Sequence, residues 1–175
     1  MRREMLVWAV VTAAGCLLSL LAAGRVWATA GKGGSVVTAT GGDLNGGLTT
    51  MALTGLAGVV AVIATKGAGR RVIGALLALV GAGLVWAAYA GAADTSVKAW
   101  LSTQNVLGGT WEGSSLWPAL CMAGGVIMLA GGVAAVVRGG HWAAMSARYD
   151  RAPAKERPAD DRSMWDALDR GDDPT

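Results

Sequence analysis

Two runs without a single charge, residues 48–65 and 72–92, are separated only by Lys66-Gly67-Ala68-Gly69-Arg70-Arg71. The runs are 18 and 21 residues long. At about 1.5 Å of rise per residue, each reaches across a hydrocarbon core ~30 Å thick when helical. A backbone in hydrocarbon finds no water to bond, so a helix is the form such a run adopts. The short basic segment between them has two glycines and nothing apolar larger than alanine. It reads as a cytoplasmic hairpin turn joining two transmembrane helices.

Residues 5–24 and 118–137 are runs of the same kind. Pro118 suits a first helical turn, where its missing N–H leaves no bond unmade. The expected fold is therefore an all-α integral membrane protein. A four-helix transmembrane domain fills residues 1–137, with spans near 5–24, 48–65, 72–92 and 118–137, and a cytoplasmic tail occupies residues 138–175. Of the 15 Lys and Arg residues, only Arg25, Lys32 and Lys98 fall in the two loops placed outside. The positive-inside bias then puts both termini in the cytoplasm. On this reading the positive charge encodes topology and membrane-lipid contact, with Lys66, Arg70, Arg71 and Arg138 at the headgroups. It is not a nucleic-acid surface, since no basic face with interleaved aromatics exists.

The N-terminus also resembles a secretory signal, with Arg2 and Arg3 before the apolar run and Ala28-Thr29-Ala30 after it. The run is long enough to span, however, and a retained first helix keeps the number of spans even. Cys16 and Cys121 both lie inside apolar runs, and they read as buried thiols that pack like small hydrophobes.

The first outer loop, residues 25–47, carries a β-branched stretch at residues 35–40 that predicts a short strand. In the second, residues 93–117, Val97, Trp100, Leu101 and Gln104 recur at helical spacing and predict a short helix lying flat on the membrane. Trp8 and Trp142 on the inner side, and Trp27, Trp86, Trp100, Trp111 and Trp117 on the outer, read as aromatic belts at headgroup level. The functional alternative is an outer aromatic cluster for an aromatic or cationic solute.

No Asp, Glu, Lys, Arg or His falls within the four runs. Intramembrane ionisable groups mark proton relays and coupled transport, so their absence argues against a proton-driven exporter. It also leaves no acid–base pair for catalysis, and the reading is of a non-enzyme without catalytic, cofactor-binding or metal-binding residues. His141 stands alone and reads as a surface residue. Small residues are dense instead. Gly83, Ala87 and Gly91 recur every four residues, while Gly124/Gly131 and Gly125/Gly132 recur every seven. Such rows let helix backbones approach closely, within one bundle or across a homo-oligomer.

In the tail, residues 138–157 are mainly basic and residues 159–175 carry six aspartates. A disordered linker is expected between them, ending in a short helix capped by Ser163. Met164, Trp165 and Leu168 share one face of that helix. It is too short to stand alone, which reads as a docking surface for a cytoplasmic protein partner or for the bundle's own inner surface, the alternative being a solubilising acidic terminus.

Several strings together resemble one family. They are Ala64-Thr65-Lys66-Gly67 with Gly69-Arg70-Arg71, Trp117-Pro118, Val37-Thr38-Ala39-Thr40-Gly41, and above all Met164-Trp165-Asp166-Ala167-Leu168-Asp169-Arg170-Gly171-Asp172-Asp173-Pro174-Thr175. The chain is similar along nearly its whole length to actinobacterial tryptophan-biosynthesis-associated membrane proteins. That resemblance implies a four-pass plasma-membrane protein tied to tryptophan synthesis, and it supplies no catalytic residues to carry over. Two functions fit: a non-enzymatic accessory or scaffold, and a small export facilitator for tryptophan or another aromatic metabolite.

Overall fold

A computed structural model describes residues 2–32, 35–104 and 110–139. Four of its helices are long and apolar enough to cross a membrane. They are α1 (Arg2–Ala23), α3 (Gly47–Ala64), α4 (Gly67–Gly91) and α6 (Leu116–Arg138). Outside them lie two shorter helices, α2 (Gly41–Leu44) and α5 (Asp94–Thr103), and three strands, β1 (Val26–Lys32), β2 (Ser35–Thr40) and β3 (Thr110–Gly113). The expectation of an all-α chain is thus corrected to a mostly helical one.

The four long helices close a ring in which α6 packs against α1 and α4, and α3 packs against the same two from the other side. Leu48, Ala52, Val59 and Val62 of α3 meet Leu77 and Leu84 of α4, Cys16 of α1 and Met128 of α6 in the shared core. Leu6, Leu21, Val60, Leu76, Leu79 and Val137 are exposed on the outer surface. An apolar exterior of that extent belongs in lipid rather than in water.

Helix α6 carries two glycine rows because it has two neighbours. Gly124 and Gly131 lie against Ser19, Gly15 and Thr12 of α1. Gly125 and Gly132 lie against Leu84, Val85, Ala78 and Gly74 of α4. A Cβ added at Gly81 of α4 would stand 2.6 Å from the backbone nitrogen of Leu129, so those two helices meet backbone to backbone. Dispersion between close backbones is what binds membrane helices when lipid removes the hydrophobic drive. Along the α1–α6 seam, Trp8 donates from Nε1 to the Gly131 carbonyl at 2.8 Å, and the Ser19 hydroxyl donates to the Cys121 carbonyl at 3.2 Å. Trp8 is therefore buried, whereas the belt reading places it at the headgroups.

At the end opposite the hairpin, both loops fold into one cap. Its antiparallel sheet has the order β2-β1-β3. Ala28, Ala30 and Ala39 of the sheet form a second small core with Val97 and Leu101 of α5. The short helix expected here is present as α5, and its Val97 and Leu101 face the sheet rather than standing free for lipid. Val26 pairs with Thr40 and Ala28 with Ala39, which leaves Trp27 as the extra residue of a bulge. The bulge lets consecutive residues, Trp27 and Ala28, both be buried. Trp27 leaves the sheet and seals the end of the bundle, where a Cβ at Gly41 would lie 2.6 Å from its ring.

Candidate functional site at the hairpin end

The hairpin is tighter than its sequence suggests. Helix α3 ends at Ala64 and α4 begins at Gly67, so only Thr65 and Lys66 lie between them. Lys66 is extended, and Gly67 takes a left-handed φ of 56° in open space. A side chain there would be strained by its own backbone rather than by neighbours. The segment expected as a six-residue turn is in fact two linking residues and the opening turns of α4.

That placement separates the two adjacent arginines. Arg71 is exposed, as are Lys66 and Arg138. Arg70 is turned inward and only 1% exposed. Its Nε donates to the Val62 carbonyl at 3.1 Å, one terminal nitrogen to the Thr65 carbonyl at 2.8 Å and the other to the Gly139 carbonyl at 3.0 Å. The expectation that Arg70 lies at the headgroups is corrected. Helix C-termini leave carbonyls without intrahelical partners and carry partial negative charge. A rigid guanidinium fork spreads its donors over three nitrogens and can serve acceptors that lie apart, whereas an ammonium donates from a single point. Val62 and Thr65 end α3, and Gly139 caps α6, so one side chain closes two helices.

The other nominated residues are distributed through the bundle. Gly83 faces Met51 of α3, while Gly91 faces Asn45 and Trp27. The carbonyl of Ala87 accepts from the Asn45 side chain at 3.1 Å. Met164, Trp165 and Leu168, with the expected tail helix, lie outside the described residues. Sequence reading missed Gly74 and Gly81, although their seven-residue spacing matches that of Gly125 and Gly132 across the seam. It also missed Gly139, Asn45 and the inward turn of Arg70, none of which has a local signature.

Among the described residues, no group of three or more His, Cys, Asp or Glu is placed to hold a metal ion. Cys16 and Cys121 are buried free thiols, and Cys16 Sγ lies 3.5 Å from Met128 Sδ. On the cap, a shallow depression of about 230 Å³ is lined by Val26, Trp27, Ala28, Thr29, Glu112, Gly113 and Ser114. The outer rim carries Arg25, whose guanidinium sits 5.4 Å above the ring of Trp117. Trp86 and Tyr89 are exposed near the same end of α4, as an aromatic belt requires.

Neither the curated proteins nor the solved structures include a significant match to this chain. A family model does match it, over residues 5–175. The four apolar helices, the glycine-packed seams and that near-complete match agree, and the chain belongs to the family of tryptophan-associated transmembrane proteins.

Proposed function

We propose that the protein is a non-enzymatic accessory of the plasma membrane, with its hairpin end and tail in the cytoplasm. There it holds a soluble enzyme of tryptophan synthesis beside the bilayer. The observation that carries this reading is the construction of the hairpin end. Lys66, Arg71 and Arg138 are exposed around a turn that Arg70 ties to α3 and to the root of the tail. A set of cations gathered at one end of the bundle suits anionic headgroups. The concentration of Lys and Arg on that side supports the cytoplasmic orientation. The family description supports the link to tryptophan.

The bundle interior supports a scaffold over a conduit, because the α4–α6 seam is filled by backbone contact and the centre by Leu48, Leu84 and Met128. Crosslinking from the tail in native membranes tests the reading. Enrichment of a tryptophan-pathway enzyme is the expected result, and recovery of lipid alone would overturn it. The competing reading, export of an aromatic metabolite, draws on the depression beside Trp27 and Glu112. It predicts that deleting the protein slows tryptophan or indole efflux while synthesis is unchanged, and that result would also end the scaffold reading.

A further inference from the structure

We propose that Arg70 is a conformational latch coupling the hairpin to the root of the tail. Helices α3 and α6 sit diagonally in the ring and touch each other little, both being packed against α1 and α4. Arg70 bridges them at one end. From the first turn of α4 its side chain reaches the Val62 and Thr65 carbonyls on one side and the Gly139 carbonyl on the other. Gly139 stands at the root of the tail, and its carbonyl is held by the same guanidinium that holds the hairpin.

Gly139 is itself fitted to that arrangement. A Cβ added there would lie 3.0 Å from Arg70 Cδ and 3.2 Å from Cγ. The arginine stem is held at its far end by three carbonyls and cannot swing aside without giving them up. The two residues therefore form one contact, in which a change at either moves the other. A displacement of Lys66 or Arg71 by whatever binds the hairpin shifts Arg70 and with it the C-cap of α6. The geometry of the latch stands by itself; only its use in signalling from hairpin to tail rests on the scaffold reading.

The test is hydrogen–deuterium exchange on the full-length protein in lipid nanodiscs, comparing the wild type with Arg70→Lys and Gly139→Val. Lysine keeps the charge and loses the fork, while valine keeps the arginine and displaces its stem. Both variants are expected to raise exchange in residues 61–66 and in residues 135–139 by about tenfold, with residues 26–32 within about twofold of wild type. If Arg70→Lys fails to fold, the Gly139→Val comparison decides alone. Faster exchange confined to residues 61–66 would make Arg70 a cap of the hairpin only and overturn the latch. Unchanged exchange, or an equal rise throughout the cap, would overturn it as well. None of these outcomes alters the crosslinking result that tests the scaffold.

Discussion

The two ends of the bundle solve one problem with opposite chemistry. Each long helix ends in carbonyls that have no partner within the helix. At the cap end, neutral side-chain donors serve the helices that finish there, the Ser96 hydroxyl among them, bonding the Ala90 carbonyl of α4 at 2.7 Å. Trp27 Nε1 bonds the Ala22 carbonyl of α1 at 2.8 Å, and Asn45 bonds the Ala87 carbonyl of α4 at 3.1 Å. At the hairpin end a single cation, Arg70, serves both α3 and α6. The difference stems from how much chain is available. Between α1 and α3, and again between α4 and α6, the connections are long enough to fold a sheet and bring a ring and an amide to the helix ends. Between α3 and α4 there are two residues, so closure must come from a long side chain on the helix itself.

This contrast can be broken most severely at Trp27. Trp27→Ala removes the ring lodged against Gly41 and Gly91 and is expected to cost about 4 kcal/mol, measured by denaturant unfolding in detergent. Trp27→Phe keeps most of the volume and loses the bond to Ala22, and about 1 kcal/mol is expected. If the two variants were equally destabilised, the ring would not be acting as a plug. Asn45→Ala should cost about 1–2 kcal/mol, because the side chain also accepts from the Gly47 N–H at 3.1 Å and holds the start of α3. Its effect should fall on the cap end alone, seen as faster exchange near residues 45–50 with the hairpin unchanged.

The smallest effect concerns Asp43. Its carboxylate accepts from the Thr40 backbone N–H at 2.9 Å and from the Thr40 hydroxyl at 2.7 Å, closing a capping box on α2. Those bonds, the backbone one first, hold its pKa below the ordinary carboxylate value. A carboxyl depressed in the folded state stabilises above its unfolded pKa, and that contribution is lost as pH falls through the folded one. Because Asp43 is exposed, solvent screening keeps the effect small. Lowering the pH from neutral through the carboxylate range should loosen α2 slightly in the wild type and have no such effect in Asp43→Asn. A cap equally acid-sensitive in both would dismiss the role.

Reading by sequence did well where one local property decides. Length and hydropathy locate four long apolar helices to within a few residues, with the largest shift at α4, which starts at Gly67 instead of residue 72. The strand at residues 35–40 is expected from its β-branched residues, and β2 occupies that stretch. Its partner β1 was hidden, because Ala28-Thr29-Ala30 has little strand preference of its own and is held extended by pairing on both edges. The belt assignment failed at Trp8 and Trp27 for a related reason. A tryptophan near a span end can face lipid or a neighbouring carbonyl, and only the packing chooses between them.

The candidate site divides in the same way. That cations gather at the hairpin is plain from Lys66, Arg70, Arg71 and Arg138, and the positive-inside bias accounts for three of them as surface charge. Which arginine turns inward depends on the left-handed turn at Gly67 and on where the ends of α3 and α6 lie. What the sequence by itself determined is the four long apolar helices and the end of the bundle at which charge collects, because those depend on transfer between water and lipid, one segment at a time. Only the tertiary structure decided that the cap is a folded sheet and that Arg70 is a buried tie rather than a lipid anchor. Those outcomes depend on carbonyls and backbone contacts supplied by segments far apart in the chain.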